Sequence, residues 1–185
     1  MSNHTNDTPV LVVADRRYAD EVRAYRQEFL DADSSMDGCG ALRRCEDPIE
    51  YIKVCESYTR PETTPPGRVP ATQLFYVRPS DGRIFGMLQI RHTLNEYLAM
   101  YAGHIGYSVR PSERRRGYAV SMLRDALSMC CTLGLREVLI TCDDGNIGSE
   151  KTIRYNSGVY ESTVHEPDED VDVKRFWIKT DAINA

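Results

Sequence analysis

Gly103-His104-Ile105-Gly106-Tyr107-Ser108-Val109-Arg110-Pro111-Ser112-Glu113-Arg114-Arg115-Arg116-Gly117-Tyr118-Ala119 is the stretch on which the reading of this chain turns. His104 to Val109 has the character of a strand. Pro111 has no N–H to donate and marks its end. Three arginines and Gly117 then lead into Ala119, Met122, Leu123, Ala126, Leu127 and Cys130, which repeat at helical spacing to about Thr132, and Gly134 suits a helix stop. Glu137 to Cys142 follows as a continuous apolar strand of a kind found in the middle of a sheet. Strand, helix and strand in this order predict a parallel crossover.

Between strand and helix, Arg114 to Ala119 has the makings of an anion cradle. The first turn of a helix carries N–H groups without intrahelical partners and the positive end of the helix dipole. Gly117 admits a backbone path, or a ligand approach, that a side chain would block. Ala119 keeps the surface low, and the arginines add charge. A phosphate or pyrophosphate suits this place, although arginines ahead of a surface helix are often only solvated. The chain has neither a Walker lysine loop nor a Gly-x-Gly-x-x-Gly run, which removes the nucleotide-binding classes built on them.

Outward from this centre, Thr72–Val77 and Arg83–Arg91 read as a hairpin around Pro79-Ser80-Asp81-Gly82. Asp47 and Pro48 open a helix with Ile49, Ile52 and Cys55 inside. Val22, Tyr25, Phe29 and Leu30 mark the inner face of a helix from Arg17 to Asp31. A short buried strand at Val10–Ala14 precedes it. Residues 1–8 are polar and predicted to be flexible, and 9–185 are read as one domain. Residues 59–70 form a proline-rich loop, and Thr93–Met100 a loop or helical turn. Past the second apolar strand come a turn at Asp143–Asn146, a weaker helix at Ser149–Asn156, and strands at Val159–Val164 and Lys174–Thr180. Glu166, Asp168, Glu169, Asp170 and Asp172 make the last connection acidic, either as a solvated loop or as a lure for a cationic substrate. The predicted fold is α/β, a single mixed and mostly antiparallel sheet with helices on both faces.

Composition narrows the classes further. A chain of 185 residues suits one domain. Its 23 basic and 28 acidic residues leave a charge of −5, which argues against non-specific nucleic-acid binding. No apolar run approaches the ~20 residues that span a bilayer, and the polar start does not resemble a signal peptide. No membrane partner and a cytoplasmic location are therefore expected. Cys130, Cys131 and Cys142 fall in apolar patterns, and Cys39 with Cys45 lacks the second pair of a zinc set, so no metal site is expected.

The quoted stretch resembles the acetyl-CoA-binding motif of the GNAT superfamily of N-acetyltransferases. Its core pattern is Gln or Arg, two residues, Gly, one residue, then Gly or Ala, which Arg114, Gly117 and Ala119 match. Val138–Cys142 resembles the next core strand, and Asn146 with Ser149 the start of the following motif. The resemblance covers about residues 70–165. Arg91–Glu96 and Asn156–Val159 resemble a sparsely characterised bacterial subgroup. The resemblance implies two parallel strands that splay into a V around acetyl-CoA as donor substrate. It implies that Arg114, Arg115, Arg116, Gly117, Tyr118 and Ala119 meet the pyrophosphate, that Tyr107, Ser108 and Val109 meet the pantetheine arm, and that Asn146 and Ser149 contribute to the same site. It further implies that the amide of Val109 or its neighbour polarises the thioester for direct attack by an amine of a small molecule or peptide.

An attacking amine must shed a proton. His104, at the start of the donor strand, and Glu96, in the loop before it, are the catalytic candidates. The other readings are a strand-end histidine bonded to backbone and a solvent-facing carboxylate. His92 reads equally as structural. The family tyrosine that protonates the thiolate stands seven residues after the motif Asn, and here that position is Ile153. Tyr107, Tyr155 and Tyr160 are nearby alternatives. A non-catalytic acyl-CoA sensor and an interaction domain that keeps only the fold therefore stay open beside the enzyme, as does a homodimer.

Overall fold

The computed structural model describes residues 7–180. Residues 1–6 of the expected flexible tail lie outside that range, while Asp7 accepts a hydrogen bond from the Ser80 amide. Strands β1 (Val10–Val13), β2 (Ala71–Val77), β3 (Ile84–Arg91) and β4 (Ile105–Val109) form an antiparallel sheet in that order. Strands β5 (Glu137–Asp143), β6 (Val159–Glu166) and β7 (Val171–Lys179) form a second antiparallel sheet in the order β5-β7-β6. Because β1 lies at a sheet edge, Val10 and Val13 are exposed, not buried as the apolar run suggested.

Helices α1 (Ala19–Asp31) and α2 (Pro48–Ser57) cover one face of the first sheet. Val22, Tyr25 and Phe29 of α1 meet Phe75, Val77, Ile84 and Met87 there. Asp47 caps α2 by accepting the Ile49 amide, with Pro48 in the first turn. Alternate residues of β2 and β3, Leu74, Tyr76, Leu88 and Ile90, point to the opposite face. There they pack with α3 (Tyr118–Thr132), with Val138 and Ile140 of β5, and with Ile153 of α4 (Ile147–Tyr155).

The single sheet predicted from the sequence is divided between β4 and β5. Gly103, at φ 63°, brings the chain so close to β5 that a Cβ there would lie 2.4 Å from the Leu139 oxygen. At this one point the His104 amide donates to Leu139 O (2.7 Å), and the Leu139 amide donates to His104 Nδ1 (2.9 Å). Beyond it the strands part without a ladder, and the C-terminal ends of both line one cleft. The splayed pair is thus present, with the splay wide enough to make two sheets of one. Before Gly103, Leu98–Ala102 is one turn of π-helix, closed by the Gly103 amide on Leu98 O (2.7 Å).

Candidate active site

The cleft holds about 760 Å³ and has two arms. The first is built on β4 and the start of α3. In an antiparallel ladder, successive residues turn their backbone groups to opposite sides. Arg91 N–H donates to His104 O, and Arg110 N–H to Phe85 O. With the β3–β4 register, this phase turns Gly106, Ser108 and Arg110 to β3 and Ile105, Tyr107 and Val109 to the splay. Arg114 fits that phase, since its Nε donates to Val109 O (3.1 Å) while Nη2 donates to Ser34 Oγ (2.7 Å). Arg115 has φ 65° and Gly117 φ 84°. Among the described residues, the amides of residues 115–119 have no acceptor in the protein. Gly117 has nothing within 4 Å of where a Cβ would stand, so the cradle is open on that side. Arg114, Arg115, Gly117, Tyr118 and Ala119 line it, with Lys151 opposite.

At the mouth of α4, Asn146 accepts the Ser149 amide (3.0 Å), and Tyr107 Oη shares a hydrogen bond with Ser149 Oγ (2.9 Å). Burial pushes the Tyr107 phenol up to about 12. Asp143 ends β5 and lines the same cleft. Burial, and then the charge of Asp37 in the loop after α1, push its carboxyl upward.

The second arm lies between the π-turn and the β6–β7 hairpin. Tyr97 and Tyr101 line it with ring centroids 5.4 Å apart, together with Arg91, Glu166 and Glu169. Arg91 Nη1 donates to the carbonyls of Ala102 (2.8 Å) and Gly103 (2.9 Å), which caps the π-turn. Arg175 performs the same service for Ala99 and Met100.

Several expected site residues stand elsewhere. His104 is buried and outside the cleft lining, with Nδ1 committed to the Leu139 amide, so it clamps β4 to β5. Glu96 is exposed and also outside the lining. His92 bonds Thr72 Oγ1 (2.8 Å). Arg116 turns to Glu113 (3.1 Å) and does not line the cleft. The Ser108 hydroxyl faces away, onto Tyr25 and Cys39, leaving only its backbone at the cleft. Ile153 is wholly buried, while Tyr155 is 78% and Tyr160 45% exposed, so neither replaces the family tyrosine in the cleft. Asp37, Asp143 and Arg91 line the cleft without having been singled out as catalytic or binding residues in the sequence, whereas Glu166 and Glu169 belong to the acidic run read there as a lure for a cationic substrate. Among the described residues no group of His, Cys, Asp and Glu is placed to hold a metal, and no helix is long and apolar enough to cross a membrane.

The model of one protein family, described as an acetyltransferase (GNAT) domain, matches residues 44–156. No curated protein sequence matches the chain. Among solved structures, a ribosomal L7/L12 alpha-N-protein acetyltransferase, RimL, in complex with coenzyme A is similar at TM-score 0.70 and 18% identity, over 95% of this chain and 96% of that one. The microcin C7 self-immunity acetyltransferase MccE, in complex with acetyl-CoA and AMP, gives TM-score 0.69 and 18% identity, over 94% and 93%. A chimera of spermidine N-acetyltransferase SpeG from Vibrio cholerae with hSSAT gives TM-score 0.65 and 12% identity, over 96% and 99%.

Proposed function

Because the chain belongs to the GNAT acetyltransferases and is an acetyl-CoA-dependent N-acetyltransferase, we propose that the splay between β4 and β5 is where it brings donor and amine together. The observation that carries this reading is the row of free amides at residues 115–119 beside the outward-turned backbone of Tyr107 and Val109. Free amides at a helix start suit a pyrophosphate, so the residues present fit the donor. Arg114, Arg115, Gly117, Tyr118 and Ala119 hold its phosphates, with Asn146 and Ser149 at the opposite lip. Bound acetyl-CoA supplies the activated acetyl group.

The remaining roles fall to the chain's own groups. The Val109 amide faces the cleft and is aimed to stabilise negative charge on a carbonyl oxygen. Asp143 accepts the proton of the amine. A carboxyl whose pKa is raised toward working pH is a better match for proton transfer than an ordinary one. Tyr107, protonated at neutral pH and fixed by Ser149, is the donor that stands in for the absent α4 tyrosine. The acceptor is a small amine drawn by the carboxylates of the second arm. Similar solved structures include spermidine N-acetyltransferases and ribosomal-protein acetyltransferases, and the carboxylates on this wall favour a small free amine over a protein chain end.

Calorimetry with CoA tests the donor site, and mass spectrometry of products from an amine panel tests transfer. Asp143→Asn is expected to lower turnover about 10²-fold with CoA affinity unchanged, the deficit shrinking at high pH. Unchanged turnover in that variant removes Asp143 from the proton path.

A further inference from the structure

Resting on the N-acetyltransferase reading above, we propose that the acceptor is a small zwitterion, a free amino acid, whose carboxylate is held by Arg91 and whose ammonium is held by Glu166. Each of these residues lines the second arm of the cleft, and each lacks its natural counter-charge.

Arg91 ends β3 with its guanidinium half-buried. Its bonded partners are the two carbonyls of the π-turn, which are neutral. No carboxylate among the described residues lies within ion-pair distance of it, although the chain has 28 acidic residues. Burial lowers its pKa, yet arginine keeps its charge at any pH a protein survives. Its Nη2 is 3.6 Å from where a side chain on Gly106 would begin, so the bare backbone at Gly106 leaves the guanidinium room over β4. A planar fork with free N–H groups matches a carboxylate.

Glu166 ends β6 and is 2% exposed. Its Oε2 accepts the Glu169 amide (2.6 Å), while its Oε1 is buried with no hydrogen-bond partner. A buried, idle carboxylate oxygen is costly unless a donor arrives. Burial foremost, then the nearby carboxylates of Glu166, Glu169 and Asp168, push the Tyr97 phenol upward, and Arg91 pulls it back. Arg91 and Glu166 thus both lie near one tyrosine in one arm of the cleft.

A polyamine would answer Glu166 but bring like charge to Arg91. A simple anion would do the reverse. A molecule with both signs answers both. The cleft volume of about 760 Å³ is shared with the donor's arm, which leaves space for a small acceptor.

The test compares the twenty free amino acids, their methyl esters, and the polyamines putrescine and spermidine, with acetylated product read by mass spectrometry. Calorimetry of the best amino acid on CoA-saturated protein reads binding without turnover. The expected result is a kcat/KM for one or more free amino acids about 10²-fold above that of the matching ester, the worth of a charge-assisted contact. Arg91→Gln and Arg91→Lys should bring the acid-to-ester ratio toward one, and Glu166→Gln should weaken amino acid binding about 10-fold. An acid-to-ester ratio near one in the unaltered protein, polyamines outpacing every amino acid, or no amino acid bound or acetylated overturns the proposal. The ratio needs no variant, so a misfolded Arg91→Gln cannot shield it. A protein that binds CoA yet fails these comparisons loses only the zwitterion, whereas one that binds no CoA loses the donor site as well.

Discussion

The two arms of the cleft are built on opposite plans. The arm proposed for the donor is made of backbone: amides at the start of α3 and the outer edge of β4, supplied by residues within a dozen positions of one another. The acceptor arm is made of side chains. Arg91 comes from β3, Tyr97 and Tyr101 from around the π-turn, Asp37 from the loop after α1, Asp143 from β5, and Glu166 and Glu169 from the β6–β7 hairpin. A backbone site recognises what is common to all reactions of a family. A side-chain site assembled from five places can be re-specified one residue at a time.

The sharpest way to break this contrast is Gly117→Asp. The substitution forces a side chain to φ 84° and sets a carboxylate before unpaired amides. Left-handed backbone costs the fold about 1–2 kcal/mol, and the new carboxylate competes with donor phosphates for the helix-start amides and repels them. CoA affinity should fall about 10²-fold by calorimetry in a folded protein. Unchanged affinity would mean that the amides are not the donor site. Next in size is His104→Ala, which leaves the Leu139 amide without its acceptor inside the core. Chemical denaturation should show a loss of about 2 kcal/mol, while the pH profile of turnover keeps its shape. Burial, foremost, holds the His104 pKa below the usual 6.5. The unfolded chain therefore takes up a proton as pH falls through 6.5 while the folded one does not, so the native protein loses stability from there downward. The alanine variant should lack that component. A turnover profile that loses a limb near neutrality in His104→Ala would return the histidine to catalysis.

Arg114→Ala against Arg116→Ala probes the donor arm more gently. Arg114 bonds Val109 O and Ser34 across the arm, while Arg116 is engaged with Glu113 outside the cleft. The first change should weaken CoA about 10-fold and the second about 2-fold or less, in keeping with an exposed ion pair. Equal effects would make the arginines a diffuse field. Apart from its loss of turnover, Asp143→Asn is expected to have the smallest effect on stability. Its pKa is raised by burial and by Asp37, so the folded state holds its proton to higher pH than the unfolded state, and stability declines as pH rises from 3.8 toward the raised value. Melting curves of Asp143→Asn should lack that decline. A parallel pH dependence in both proteins would show that the carboxylate is well solvated.

The same contrast explains what was readable from sequence. Arg114, Gly117 and Ala119 declare themselves because a helix start, its glycine and its phosphate chemistry are local. The hairpin of β2 and β3, the cap at Asp47 and the inner faces of α1 and α3 are local too. His104 and Glu96 were attractive because they neighbour the donor strand in sequence. Yet the sharp turn at Gly103 drives the histidine into Leu139, and Glu96 stays outside. Arg91 and Glu166 are 75 positions apart, and nothing in either neighbourhood announces the other. The division of the sheet was equally hidden, because the apolar patterns of β4 and β5 do not record how far apart their ends are held.

The splay also bears on how the protein behaves in a tube. An unpaired strand edge is what chains use to stick to one another, and the outer side of β4 carries such groups at Tyr107 and Val109 beside the single tie at His104. A donor lying along that edge caps it as a third strand would. At ligand concentrations ~100 times the dissociation constant it adds about 2.7 kcal/mol to stability. Yield and shelf life should therefore follow CoA supply: purification with CoA in the buffer keeps the protein clear, and dialysis against CoA-free buffer makes it cloud.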